Sequence, residues 1–176
     1  MNWDAISAIS EIIGAIAVVV TLIYLAVQVR QSTKSIQSST LQANTSVWTA
    51  LFSSLADRDV AAAYAVGMSG APDIKPIQYT QFFLMCRAMF VAFENQFYQY
   101  RQGTLDEETY LGYARAISTQ LMSMPGFRVW WAQSRDVFSP SFVEHIDVMI
   151  ANTPEADVDA MISEWQRIAQ QKQVDS

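Results

Sequence analysis

Arg87, Glu94 and Arg101 are spaced seven residues apart, so on a helix they fall along one face. A carboxylate between two guanidiniums, with Asn95, Gln96, Tyr98 and Tyr100 close by, could bind an anion or place a general acid. The candidate polar cluster is therefore Arg87, Glu94, Tyr98 and Arg101. A structural role competes with that chemistry: ion pairs from this face to neighbouring helices, joined by Arg128 or Arg135, would hold the fold together without any ligand. One Glu flanked by two Arg in an aromatic-rich helix favours the structural role.

Other reaction chemistries find less support. One cysteine and one histidine cannot supply the four Cys and His ligands of a structural zinc site. His145 lies beside Glu144 and Asp147 without the paired Glu-x-x-His spacing of a di-metal bundle, and reads as a surface or helix-packing residue. No histidine stands between Ile12 and Val29 to hold a haem or chlorophyll within that segment. Serines and Asp147 are present, but no Gly-x-Ser-x-Gly turn is. Cys86 sits in the apolar string FFLMCRAMF and reads as packing rather than as a nucleophile. The sequence thus points to no catalytic residue, no cofactor and no metal, and to a protein that is not an enzyme. Trp130 and Trp131, as neighbours on a helix, lean to opposite sides; one is expected in the core and the other exposed as a partner contact.

The elements that must position these residues follow from composition and periodicity. The chain has 176 residues, 51% hydrophobic and 16% charged, enough for one domain and a short appendage. Seventeen acidic residues against eleven basic ones leave a net charge of −6, which gives no basic surface for a nucleic-acid backbone. No strand-like alternation appears anywhere. The expected fold is all-α: a single N-terminal transmembrane helix over residues 1–30, a polar juxtamembrane stalk over 31–46, and a cytoplasmic helical bundle of about six helices over 47–176.

The anchor rests on eighteen uncharged residues, Ile12 to Val29, between Glu11 and Arg30. As a helix this run is about 27 Å long, close to the hydrocarbon thickness of a bilayer. Eleven of the eighteen are Val, Ile or Leu, together worth roughly −3 to −7 kcal/mol at mid-bilayer before Thr21, Tyr24 and Gln28 are counted against them. A cleaved signal would carry basic residues ahead of the run, whereas only Asp4 and Glu11 are charged there. Arg30 and Lys34 follow it, so the N-terminus is expected outside and the C-terminal domain in the cytoplasm, with Trp3 near the outer interface. Positions 7, 10, 14, 17, 21, 24 and 28 are Ser, Ser, Gly, Ala, Thr, Tyr and Gln. Their alternating three-and-four spacing gathers the small and polar residues on one stripe. Helices associate in lipid through close approach at small residues and through interhelical hydrogen bonds, so Gly14, Ala17, Thr21, Tyr24 and Gln28 are the expected contact face, with another copy or a different membrane protein as partner.

After the anchor, a weak face of Ile36, Thr40, Ala43, Val47 and Leu51 suggests that the helix continues through the stalk, with a flexible linker as the alternative. Asp57 or Asp59 caps a short helix to Met68. Gln78 to Arg101, with Phe82, Met85, Met89, Phe93, Phe97 and Tyr100 at helical spacing, is the expected central helix, ended by Gly103. Asp106, Glu107 and Glu108 open a helix towards Met124, closed by Pro125 and Gly126. A further helix covers Phe127 to Phe138. Ser139 and Pro140 start one reaching Ala151, and Thr153 and Pro154 repeat that signal. The last helix puts Val158, Met161, Ile162, Trp165 and Ile168 on one side.

EIIGAIAVVVTLIYLAVQVRQ (Glu11 to Gln31), FENQFYQYRQGTLD (Phe93 to Asp106), and PGFRVWW with FSPSF between Pro125 and Phe142 resemble a bacterial family of small uncharacterised proteins with one N-terminal transmembrane helix. The resemblance implies the anchored architecture and supplies no catalytic residues; the location expected from the span is the inner membrane. The function expected from the sequence is a membrane-anchored interaction or accessory subunit. A membrane-tethered enzyme or small-ligand sensor around Glu94, Tyr98 and Arg101 is the rival. If residues 12–29 live among lipid tails, the full-length chain should stay with the membrane pellet through carbonate and high-salt washes and leave it only with detergent. A monodisperse particle in plain buffer would contradict this.

Overall fold

The computed structural model describes the backbone of residues 3–174 and the side chains of 11–173. Seven α-helices and no strand occur among the described residues. They are α1 (Trp3–Ser54), α2 (Arg58–Met68), α3 (Pro76–Arg101), α4 (Glu107–Ile117), α5 (Pro125–Ser134), α6 (Pro140–Ala151) and α7 (Val158–Val174). A π-helical turn, Ser118–Met122, follows α4, and a 3-10 turn, Arg135–Val137, follows α5. The chain divides into two compact units, residues 1–42 and 43–176.

In the first unit α1 is unbroken, so the polar stretch after Arg30 is helical rather than a flexible linker; the Thr33 hydroxyl donates back to the Val29 carbonyl at 3.0 Å. Among the described residues one helix is long and apolar enough to cross a membrane, and none of its most apolar window is buried. From Ile12 to Val29 the large apolar side chains are between 48% and 65% exposed. A core helix of a soluble protein would have these side chains covered. Trp3, Ser7 and Ser10 have side chains outside the described residues.

The second unit begins at Ala43. Its helices start where short polar side chains satisfy free N–H groups. Asp57 accepts from the N–H groups of Asp59 and Val60 at 2.9 and 3.1 Å, and Asp106 accepts from Thr109 N–H at 2.9 Å. Pro76, Pro125 and Pro140 each occupy a first-turn position, where a missing N–H costs nothing. Gly70 and Gly103, at φ of 73° and 72°, make the left-handed turns before and after α3.

The core is aromatic and centred on α3. Phe90 is fully buried, and rings of Phe93, Phe127, Trp130, Trp131, Phe138 and Phe142 lie 4.7 to 6.3 Å from it. Tyr110, Ala114 and Ile117 of α4 and Ile146 of α6 extend the core, and Trp48 closes it from the end of α1. Each large apolar side chain so covered contributes about 1.5–3 kcal/mol.

Several expected boundaries move. The helix after Asp106 does not run evenly to Met124: it ends at Ile117 and widens into the π turn, while Pro125 opens α5 instead of merely closing what precedes it. The segment Phe127 to Phe138 divides between α5 and the 3-10 turn. Thr153 caps nothing. Its hydroxyl donates back to Met149 O and meets Ser118 Oγ at 2.6 Å, and α7 starts at Val158 with Asp157 accepting from Ala160 N–H. Six α-helices do follow α1, but every side chain of residues 159–173 is exposed, including Met161, Ile162, Trp165 and Ile168. The packed core is built from α2 to α6 with the last turns of α1, and the apolar side of α7 stays exposed.

α2 and α5 touch backbone to backbone. A Cβ on Gly126 would stand 1.7 Å from the Gly67 carbonyl oxygen, and one on Gly67 would stand 2.1 Å from the Phe82 ring. Gly112, exposed on α4, has nothing within 4 Å of such an atom. Gly126→Ala should therefore cost about 3 kcal/mol or more in thermal unfolding of the detergent-solubilised chain, whereas Gly112→Ala should stabilise it by about 0.5–1 kcal/mol. Equal effects at the two glycines would disprove the close crossing.

Candidate functional site

The seven-residue spacing of Arg87, Glu94 and Arg101 does put all three on one face of α3, but they do not pair with one another. Each meets a successive part of the string FSPSF instead. The Arg87 guanidinium lies 4.5 Å above the Phe138 ring centre. Glu94 Oε1 accepts the Ser139 N–H at 2.8 Å, and Arg101 donates to Ser141 Oγ at 3.0 Å. Ser139 is the residue before α6 and has no side-chain cap of its own, so Glu94 supplies from another helix an acceptor for an N–H at that helix start, where a negative charge is also favoured by the dipole. No ion pair joins Glu94 to an arginine among the described residues, which corrects the expected Glu–Arg network. Arg128 and Arg135 go elsewhere. Arg128 donates to Met122 O and Thr153 O and lies 3.7 Å from Glu155, and Arg135 pairs with Asp147 at 2.6 Å.

The groove beside this clamp has a volume of 380 Å³, with Glu94, Tyr98, Arg101 and Ser141 on its walls. Tyr98 is 61% exposed. Glu94 and Arg101 thus meet the α6 start rather than each other, and an exposed phenol completes the wall. The arrangement fastens α6 onto α3.

Trp130 and Trp131 are both buried, at 2% and 4% exposure, so neither is a surface contact. The opposite lean expected of neighbours is absorbed because α5 is packed on both sides: Trp130 meets Phe83, and the Trp131 indole donates to Asp147 Oδ1 at 2.9 Å. Asp147 also holds Arg135, making it a junction between α5, the 3-10 turn and α6. The sequence marked Asp147 as a neighbour of His145 and as a possible triad acid, not as a junction, since its partners stand 12 and 16 residues away.

Cys86 is 1% exposed, and burial pushes its thiol well above the ordinary range, so it stays protonated and unreactive. His145 stacks on Phe97 at 4.7 Å, and its Nε2 shares a 2.7 Å hydrogen bond with the Tyr110 hydroxyl. Burial holds His145 below its ordinary 6.5 and Tyr110 above its ordinary 10.0. Among the described residues no group of three or more His, Cys, Asp or Glu is placed to hold a metal ion.

In the first unit Gly14, Ala17, Thr21, Tyr24 and Gln28 occupy α1. The Thr21 hydroxyl donates to Ala17 O at 2.8 Å, and Gln28 Nε2 donates to Tyr24 Oη at 2.6 Å. These bonds join consecutive members of the stripe, and Gly14 leaves open space where a side chain would stand.

Two measurements follow. Glu94→Ala should destabilise the bundle by about 1–2 kcal/mol through loss of the Ser139 acceptor, while Glu94→Gln, which keeps an acceptor oxygen, should cost less than about half as much; an Arg-paired Glu94 would make the two variants equally damaging. For His145, a depressed folded-state value means that its contribution to stability is complete above pH 6.5 and is lost as pH falls through the folded value. Unfolding temperature should drop on acidification below pH 6.5, and His145→Gln should flatten that dependence. An unchanged slope would assign the titration to other groups.

No family model, curated protein or solved structure matches the chain, and its functional reading rests on the residues above.

Proposed function

We propose that this protein is a single-pass, membrane-anchored interaction subunit of the bacterial inner membrane. Its N-terminus is outside, its helical domain is cytoplasmic, and it associates with another copy or with a larger membrane protein through the small and polar stripe of α1. It performs no catalysis of its own. The observation that carries this reading is the uncovered apolar surface of residues 12–29, interrupted by polar groups on one side only. Leaving that surface in water is unfavourable at about 25 cal/mol per Å², and lipid removes the penalty. Lipid does nothing for the stripe. Tyr24 accepts from Gln28 and retains its own O–H to donate across an interface, and Gly14 and Ala17 allow close approach of a second backbone. Arg30 and Lys34 orient the span.

The rival reading, an enzyme or sensor at Glu94, Tyr98 and Arg101, is weakened because Glu94 and Arg101 are engaged in holding the start of α6. The contact face is tested with single cysteines along the span in a Cys86→Ser background. Crosslinks, to a second copy or to a co-purifying protein, should form at positions 14, 17 and 21 and be absent at 16, 19 and 23. Uniform crosslinking, or none at any position, would remove the contact face while leaving the anchor in place.

A further inference from the structure

A second cavity, outside the polar cluster, is built from five elements of the 43–176 unit. Trp48 and Phe52 at the end of α1, Tyr64 of α2, Met89 of α3 and Tyr113 of α4 enclose a pocket of 310 Å³, with Ala116 and Gln120 at its exposed edge. No Asp, Glu, Lys, Arg or His lines it. The lining residues with polar side-chain groups are Trp48, Tyr64, Tyr113 and Gln120. Burial pushes the Tyr64 phenol far above its ordinary value, so that wall stays neutral. Its character is set by ring faces: Trp48 and Tyr113 are near-parallel, with centres 6.4 Å apart and planes at 19°, and Phe52 tilts against Trp48 at 5.8 Å.

One wall is the π turn. The Ser123 N–H reaches the Ser118 carbonyl five residues back at 3.2 Å, and the extra residue widens the helix where Gln120 and Leu121 meet the pocket. Such turns are rare and concentrate at functional sites. Here the wider turn borders a void that the surrounding side chains leave open.

We propose that this pocket binds a neutral, flat aromatic molecule of about two fused or linked rings, held between the Trp48 and Tyr113 side of the pocket and the π turn. The volume sets the size, at the low end of small-molecule sites. The uncharged lining excludes ions, which would lose their hydration without a partner. The ring faces favour a planar aromatic over a saturated chain of equal volume, because offset and edge contacts between rings add to plain burial. Occupancy packs the last turns of α1 onto α4, so this is a ligand-sensing site on the domain that α1 leads into. It stands independently of the anchor reading, since every lining residue belongs to the 43–176 unit.

The test uses the full-length chain in lipid nanodiscs and benzophenone, a neutral two-ring photoprobe. Irradiation should label Met89, Ile117 or Leu121 saturably. Unlabelled naphthalene should suppress that labelling at least tenfold, and decane should not. Ala116→Trp, which fills the pocket from its exposed edge, should abolish labelling at these positions while leaving the unfolding temperature close to that of the parent. Labelling confined to residues 12–29, labelling unaffected by Ala116→Trp in a folded chain, or equal competition by decane would each overturn the proposal. If Ala116→Trp does not fold, the naphthalene and decane arms on the parent chain decide alone.

Discussion

Phe90 and the rings around it hold the bundle together. α3, α5, the turn after α5 and α6 each place at least one aromatic side chain within 6.3 Å of that ring, so their positions are mutually fixed by one close-packed cluster. Protein interiors tolerate little void or overlap, and a cluster of large flat groups tolerates less than one of small flexible ones. The Gly67–Gly126 crossing is a consequence: α5 can deliver three aromatic residues inward only if its first turn approaches α2 without a side chain between the backbones.

Polar side chains then fasten the ends of the elements that the aromatic cluster orients. Arg87, Glu94 and Arg101 take hold of Phe138, Ser139 and Ser141 in order, and Asp147 ties Trp131 to Arg135. Arg128 reaches the carbonyls of Met122 and Thr153, satisfying backbone acceptors on both sides of α5. Apart from the cation–π contact of Arg87 with Phe138, these are charge-assisted hydrogen bonds, shorter and stronger than neutral ones.

Two apolar surfaces have no cover among the described residues. The first is the run from Ile12 to Val29, to which the proposed function assigns lipid. The second is the apolar side of α7, where Trp165 is 75% exposed. Most helical stability in proteins comes from packing of an apolar face, so α7, exposed throughout residues 159–173, is the least supported helix of the 43–176 unit. The aromatic pocket at the end of α1 is a smaller vacancy of the same kind, formed where the π turn and the last turns of α1 fail to fill the space between them.

Much of this was legible in the residue order. The uncharged run, the cap at Asp57, the acidic opening at Asp106, the Ser139–Pro140 start and the apolar face of α3 are local signals, set by side chains within one or two turns of one another. The same locality explains the failures. Periodicity says which side of a helix is apolar, not which other helix covers it: Trp130 and Trp131 are both buried because α5 is packed on two sides, and the apolar side of α7 is covered by none. The seven-residue spacing placed Arg87, Glu94 and Arg101 on one face, yet their partners lie 40 to 51 residues further on, beyond the reach of any local pattern. The sequence by itself determined the helices and the apolar run. Only the tertiary structure decided that the polar cluster is a clamp on α6 and that an aromatic pocket opens beside the π turn, because both depend on contacts between segments far apart in the chain.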